Sequence, residues 1–393
     1  MNILFISFDA DPPYMGGTAT VANILAKSFQ SFGHFCALAY PESSEHPSTF
    51  FADKLELNQK NRVAAELFFK KHQFDIILNQ LPTNIDFKFL LSLPLGNCKI
   101  ISAYHNRPML RPLTIDNLKL LYSKSTNLLH GIYTLIKFPL LPLLNIKNRR
   151  QQLQAFDDVC NYSDRILLLS EKFYPLWKTL APNTDVSKLV AIGNPLVFEE
   201  SLPIEEVKVK EKLVITVCAI TAQKRAHLLL EIWRLIENDQ SFDEWKFVFV
   251  GGGVSLSDLK LQSKEMGLKR LDFVGYQSPY SYYKRAAISL MTSKYEGWPM
   301  VLMEGQQMGV VPISYDSFES ITDIIDNEKN GLIIPNNDLE GFVEKLKKLM
   351  RDKVYREEMA TSAIYSSDRF SIDKVTFEYL RLFYDLFGDD KKK

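Results

Sequence analysis

Short apolar runs alternate with longer stretches of helical spacing along almost the whole chain. Runs of Ile, Val, Leu and Phe predict strands over 3–8, 35–39, 75–78, 99–103, 165–169 and 190–192, with a helix over 18–32 after the first. Strands that are apolar throughout, separated by helices of 10–15 residues, indicate parallel sheets covered on both faces. A charged stretch, Leu202-Pro203-Ile204-Glu205-Glu206-Val207-Lys208-Val209-Lys210-Glu211-Lys212, then interrupts the pattern. It restarts with a strand over 213–219, a helix over 226–236 and a strand over 246–250, and continues to residue 334. The expected fold is α/β, with two doubly wound Rossmann-like domains facing across a cleft, the first over 1–198 and the second over 199–369. A terminal amphipathic helix is expected over 370–388, with residues 389–393 as a frayed tail.

Length agrees with two domains, because 393 residues exceed the roughly 250–300 that a single core supports. With 46% hydrophobic, 12% aromatic and 24% charged residues, the composition is that of a folded globular chain. The formal net charge is zero but divided: residues 1–195 hold 20 Lys+Arg against 15 Asp+Glu, net +5, which leaves −5 for the rest. A basic first half suits a partner with anionic groups, such as a phospholipid surface or a pyrophosphate-linked acceptor. No nucleic-acid partner is expected. Cys36, Cys98, Cys160 and Cys218 are widely spaced, with no C-x-x-C pair, and read as reduced residues of a cytoplasmic protein. The first nine residues read as a strand and not as a signal peptide.

One segment stands apart. Residues 128–144 are strongly apolar and are followed by Lys147, Arg149 and Arg150. Lys137, Pro139 and Pro142 interrupt the run below the ~20 residues that a membrane span needs. The region 128–150 could lie on an anionic membrane surface, peripheral to the inner face, or it could pack as core.

Candidate chemistry gathers behind the run Ile288-Ser289-Leu290-Met291. The stretch Tyr295-Glu296-Gly297-Trp298-Pro299-Met300-Val301-Leu302-Met303-Glu304 reads as strand end, glycine turn and helix start, with Pro299 in the first helical turn. Such a helix end attracts phosphate, with roughly half a unit of effective positive charge. Glu296 would stand in front of that anion site and Glu304 about two turns into the helix, so one carboxylate can face a sugar while the other holds a ribose diol. An ordinary solvated helix could also carry two such glutamates. Lys224 begins a helix after the strand 213–219, where its ammonium can approach a phosphate. Gly16 and Gly17 follow the first strand and open a helix, which lets a ligand approach backbone N–H groups. His105 lies just past the carboxyl end of a strand, where open α/β sheets place ligands. Asp9-Ala10-Asp11, on the first βα loop, spells a D-x-D that could hold a divalent cation. Gly251-Gly252-Gly253 lacks the third glycine of a dinucleotide fingerprint, Leu256 standing in its place.

From residue 213 to 350 the chain resembles the retaining family-4 glycosyltransferases of the GT-B fold. The resemblance rests on Gln223-Lys224, Phe247-Val248-Phe249-Val250-Gly251-Gly252-Gly253, Phe273-Val274-Gly275-Tyr276, the stretch from Ser293 to Glu304, Gly309-Val310-Val311-Pro312-Ile313 and Asn330-Gly331-Leu332-Ile333. A weaker match covers Gly16-Gly17, His105 and Ile192-Gly193-Asn194-Pro195. The resemblance implies that Lys224 binds the leaving diphosphate, with an arginine five residues earlier; Ala219 occupies that place, and Arg225 is the candidate replacement. It implies that His105 and Glu296 stand beside the transferred sugar, with Glu296, His105 and Lys224 as the catalytic set. It further implies that Gly275 and Tyr276 meet the nucleotide base and that Gly16, Gly17, Gly297, Trp298, Pro299, Met300, Val301 and Glu304 complete the donor site. The terminal helix would cross back onto the first domain. The resemblance is to enzymes that generally need no metal, which implies that the D-x-D match is a coincidence, and neither metal nor cofactor is expected beyond the sugar nucleotide itself.

The function expected is retaining transfer of a hexose-type sugar from a nucleoside-diphosphate sugar to a saccharide acceptor. A lipid-linked acceptor in cell-surface polysaccharide synthesis fits the basic first half. A sugar-nucleotide epimerase of the same fold and a catalytically silent sugar-nucleotide-binding protein are the alternatives.

Overall fold

The computed structural model describes residues 1–10, 16–42, 46–114 and 140–388. Two parallel sheets form its frame. The first comprises β1 (Asn2–Ile6), β2 (Phe35–Tyr40), β3 (Asp53–Glu56), β4 (Ile76–Asn79), β5 (Lys99–Tyr104), β6 (Arg165–Leu168) and β7 (Leu189–Ala191), in the spatial order β3-β2-β1-β4-β5-β6-β7. The second comprises β8 (Leu213–Val217), β9 (Lys246–Val250), β10 (Leu271–Gly275), β11 (Ile288–Met291), β12 (Val311–Asp316) and β13 (Leu332–Pro335), ordered β10-β9-β8-β11-β12-β13.

The apolar runs became central strands because helices bury both faces of each sheet. Leu4, Ile6 and Ile77 point into one layer, while Ile3, Phe5 and Leu78 point into the other. β3 carries no such signal, since Asp53-Lys54-Leu55-Glu56 has a single apolar residue. It forms because it pairs with β2 at the sheet edge, an environment that tolerates half-exposed charged side chains. The strand expected over 3–8 stops at Ile6, and the one expected over 213–219 stops at Val217.

The last helix, Ile372–Phe387, covers the first sheet beside the helix Gly17–Ser31. Phe29 and Phe383 meet with ring centroids 5.5 Å apart, and Thr376 Oγ1 lies 2.8 Å from Ser28 Oγ. The two sheets also share a core, since Trp298, Leu302, Phe318 and Ile321 from the second half are buried in one cluster with Tyr104, Leu168 and Leu196 from the first.

Strand order reverses between β1 and β4 in the first sheet and between β8 and β11 in the second. Loops leave in opposite directions at such a reversal, which opens a crevice at the carboxyl ends of the strands. The candidate residues gather around these two crevices.

Of the apolar segment 128–144, residues 128–139 lie outside the described residues. Its remainder starts the helix Leu141–Tyr162, where Leu143 is 65% and Ile146 53% exposed beside exposed Lys147, Arg149 and Arg150. This described end is therefore not core. Among the described residues, no helix is long and apolar enough to cross a membrane.

Candidate active site

The loops that follow β8 and β11 are tied to each other before any ligand is considered. The Lys294 N–H donates to the Gln223 carbonyl and Gln223 Nε2 donates to the Tyr295 carbonyl, both at 2.8 Å. Thr292 Oγ1 donates to the Lys224 and Arg225 carbonyls, each at 3.1 Å. The result is a rigid frame at the reversal point of the second sheet, from which Lys224 and Glu296 project toward each other.

Lys224 Nζ lies 2.5 Å from Glu296 Oε1, with the two side chains only 22% and 10% exposed. The cation and the carboxylate chosen from separate sequence motifs thus form one ion pair. Behind them the helix Met300–Gln307 begins, with Pro299 as its cap. Glu304 is therefore about one turn into the helix, not two, because the loop stays extended through Pro299. Its Oε2 accepts a 3.0 Å hydrogen bond from the buried Tyr283 hydroxyl. Burial pushes the Glu304 carboxyl up to about 7, against the opposing pull of the Tyr283 bond.

The first domain meets this frame closely. A Cβ on Gly17, at the start of the helix Gly17–Ser31, would lie 3.5 Å from Met300 Sδ. The first residues of two helices therefore come into contact across the cleft, and each helix start carries N–H groups without intrahelical partners and the positive end of a dipole. Gly297 lies flat on the first domain, since a Cβ there would come within 2.7 Å of Asn106 Cα and 2.9 Å of the His105 carbonyl. Any larger residue would push Glu296 away from His105.

His105 stands at the carboxyl end of β5. Its Nδ1 lies 3.2 Å from Asn194 Oδ1, which makes Nδ1 the protonated nitrogen and leaves the Nε2 lone pair bare. Burial lowers the imidazole to about 4, so it is neutral at physiological pH.

Two expected donor contacts take other positions. The Arg225 guanidinium does not stand in for the arginine absent at Ala219. It donates to the Thr292 and Ser293 carbonyls at 2.6 and 3.1 Å and to Asn337 and Asn336 at 2.8 and 2.9 Å, so it braces the loop after β11. The Trp298 side chain does not face the cleft as a free ring. It is buried against Gly193, where a Cβ would sit 2.5 Å from its ring, and its Nε1 donates to Met303 Sδ at 3.0 Å. Val301 lines a small cavity with Lys224, Tyr283 and Thr292. Gly275 adopts φ +75°, and Tyr276 is 65% exposed at the end of β10. Gly16 caps the first helix in extended conformation. Asp9 of the D-x-D is buried, held by Lys54 Nζ at 3.2 Å and the Ser48 N–H at 2.8 Å, while Asp11 lies outside the described residues. Among the described residues, no group of three or more His, Cys, Asp or Glu side chains is placed to share a metal ion.

Sequence reading overlooked three participants. Asn194 lay inside the quoted Ile192–Pro195 motif without a role. Tyr283 resembled any core aromatic. Arg107, two residues after His105, forms a two-pronged ion pair with Glu319 at 2.8 and 2.6 Å across the domain boundary. Such a pairing over 212 positions leaves no local signal.

Two doubly wound parallel domains, with their reversal points opposed across a cleft, define a GT-B fold. Residues 197–365 match the family described as Glycosyl transferases group 1. The chain is 27% identical over 199 residues to the GalNAc-alpha-(1->4)-GalNAc-alpha-(1->3)-diNAcBac-PP-undecaprenol alpha-1,4-N-acetyl-D-galactosaminyltransferase of Campylobacter jejuni, covering 50% of this chain and 55% of that protein. It is 22% identical over 219 residues to an uncharacterized glycosyltransferase of Haemophilus influenzae, covering 55% and 60%. The chain thus spans little more than half the length of these curated relatives. Anabaena HepE, solved with UDP and glucose, superposes with a TM-score of 0.69 over 97% of this chain and 99% of its own at 12% identity, a likeness of fold.

Proposed function

We propose that this protein is a retaining glycosyltransferase that moves a hexose-type sugar from a nucleoside-diphosphate sugar to a saccharide acceptor. The observation that carries the reading is the meeting of two helix N-termini, Gly17 against Met300, beside the Lys224–Glu296 pair. A diphosphate is the ligand chemistry that two convergent dipole ends and one lysine select. Its arrival gives Lys224 a stronger anionic partner and releases Glu296 toward the transferred sugar, next to His105. Glu304, a turn further along, takes the ribose diol. The base falls near Gly275 and Tyr276. No metal is required, since dipoles and Lys224 supply the positive charge.

The test is incubation of the full chain with radiolabelled UDP- and GDP-hexoses and oligosaccharide acceptors. Labelled product with the donor's anomeric configuration, read by proton NMR, is the expected result. An inverted anomer would overturn retention; an isomerised donor, or binding without turnover, would overturn transfer.

We place the work at the inner face of a membrane, on a lipid-linked acceptor of polysaccharide synthesis. Support comes from exposed Leu140, Leu143 and Ile146 beside Lys147, Arg149 and Arg150. Each basic side chain near an anionic surface adds about 1 kcal/mol, screened by salt within ~8–10 Å. Binding to phosphatidylglycerol vesicles is expected to fall with rising salt. It should fall again when Leu140, Leu143 and Ile146 become Ser, with the melting temperature held. Vesicle binding that survives both changes would move the contact elsewhere.

A further inference from the structure

The reversal point of the first sheet holds a row of buried polar atoms with no partner. Ser7 follows β1, Gln80 follows β4 and His105 follows β5. Ladder bonds continue past the strands, from the Ser7 N–H to the Ala39 carbonyl and from the Gln80 N–H to the Ile6 carbonyl, at 3.1 and 2.9 Å, so the alternation of faces continues too. Ile3 and Phe5 on β1, Ile76 and Leu78 on β4, and Ile101 and Ala103 on β5 all face the layer formed by the helix Gly17–Ser31. Ser7, Gln80 and His105 are the next members of those three series and fall on the same side, at the end where that helix begins.

Ser7 Oγ, both amide atoms of Gln80 and His105 Nε2 are shielded from solvent without a hydrogen-bond partner. Ser7 and Gln80 are only 0% and 3% exposed. A buried unpaired polar group costs roughly 1–3 kcal/mol, and native folds carry few of them. Ser7 and Gln80 stand side by side in the strand register, and His105 stands two positions further out on the next strand. Polar atoms of all three left unpaired at a reversal point, the place where this kind of sheet receives ligands, point to a partner that arrives from outside.

The chemistry of that partner can be read from the row. None of these atoms is charged: Ser7 offers a hydroxyl, Gln80 one NH2 donor group and one carbonyl acceptor, and His105 a lone pair, because Asn194 holds the opposite nitrogen as the donor. The nearby Asp9 carboxylate is already engaged by Lys54 and Ser48. A hydroxyl-bearing neutral ring suits these three side chains better than a uronate or a phosphate, since none of them carries a positive charge.

We propose that Ser7, Gln80 and His105 form a recognition row for the hydroxyl groups of a neutral sugar ring, with Asn194 as the positioning residue that keeps His105 an acceptor. The inference rests on the glycosyltransferase reading and adds the substrate class and two residues that reading did not use. The ring belongs either to the transferred sugar or to the acceptor, and the experiment separates the two.

The experiment compares wild type with Gln80→Leu, using the hexose donor turned over by wild type and the free nucleoside diphosphate as probes. Removing an unpaired buried amide should leave the melting temperature of the free protein equal or higher. Nucleoside-diphosphate affinity should stay within about twofold, while sugar turnover falls about 10- to 100-fold, the loss expected when hydroxyl-reading groups are removed. A loss in donor hydrolysis without acceptor assigns the row to the transferred sugar; a loss confined to transfer assigns it to the acceptor. Ser7→Ala, a smaller change, should lower turnover in the same arm. Unchanged turnover in both variants, or a lowered melting temperature of Gln80→Leu with its turnover intact, would overturn the row and leave the glycosyltransferase reading standing. Absence of turnover in wild type would overturn both.

Discussion

Glu296→Gln is expected to lower kcat by at least about a hundredfold while nucleoside-diphosphate affinity holds or rises. Glu296 lies 2.5 Å from the Lys224 ammonium, so under the proposed reading it competes with the diphosphate for the same cation. Neutralising the carboxylate removes that competitor and the repulsion between the carboxylate and an incoming diphosphate. It also removes the carboxylate that the proposed reading sets beside the transferred sugar, and an interaction that strengthens in the transition state appears in kcat more than in binding. Lys224→Ala should behave in the opposite manner. Losing a charge-assisted hydrogen bond costs roughly 1.5–3 kcal/mol, or about ten- to a hundredfold in nucleotide affinity. Calorimetry with the free nucleoside diphosphate and steady-state turnover separate the two effects. Equal losses of affinity in both variants would mean that the pair only supports the loop.

The second large effect concerns pH. Burial raises the Glu304 carboxyl to about 7, above the ~4.3 of an unfolded chain. Folding therefore favours the protonated acid. Its contribution to stability is complete below pH ~4.3, is lost as pH rises toward 7, and is constant above that. The loss amounts to about 4 kcal/mol at most, so Glu304→Gln should melt higher than wild type at pH 8 and equally at pH 4. Ribose binding makes the opposite demand, because a diol donates its protons best to the ionised carboxylate. Affinity for a nucleoside-diphosphate sugar should accordingly climb between pH 6 and 8 in wild type, and be lower and flatter in Glu304→Gln. Titration calorimetry at several pH values provides the check, and a pH-independent wild-type affinity would remove the ribose assignment. Stability and function pull this residue in different directions: the carboxyl costs the free protein stability at the pH at which it binds best.

What could be read from the chain without its structure follows from periodicity. Parallel strands buried on both faces must be apolar at consecutive positions, so strands such as β1, β2, β8, β9 and β11 announce themselves as apolar runs; β3, at a sheet edge, has no such requirement and gave no sign. The β11–loop–helix stretch was legible because its strand, turn and helix start are local, and with it the identities of Glu296 and Glu304. Lys224 was legible for the same reason.

Pairing was not. Nothing local to Lys224 says that it will hold Glu296, 72 positions away, or that the adjacent Arg225 will spend its guanidinium on two carbonyls and two asparagines. Trp298 lies inside the most legible motif, yet the bare backbone at Gly193 draws it into the domain interface. Ser7 and Gln80 are single polar residues at the ends of apolar strands, indistinguishable in sequence from ordinary loop starts. The order of the strands makes them neighbours, and only burial without a partner sets them apart. Sequence by itself thus determined two doubly wound domains and the residue types at their strand ends, because those follow from short-range pattern. The tertiary structure alone decided which of those residues meet and which polar groups are left unpaired, because strand order and domain contact bring together positions that share no local signal.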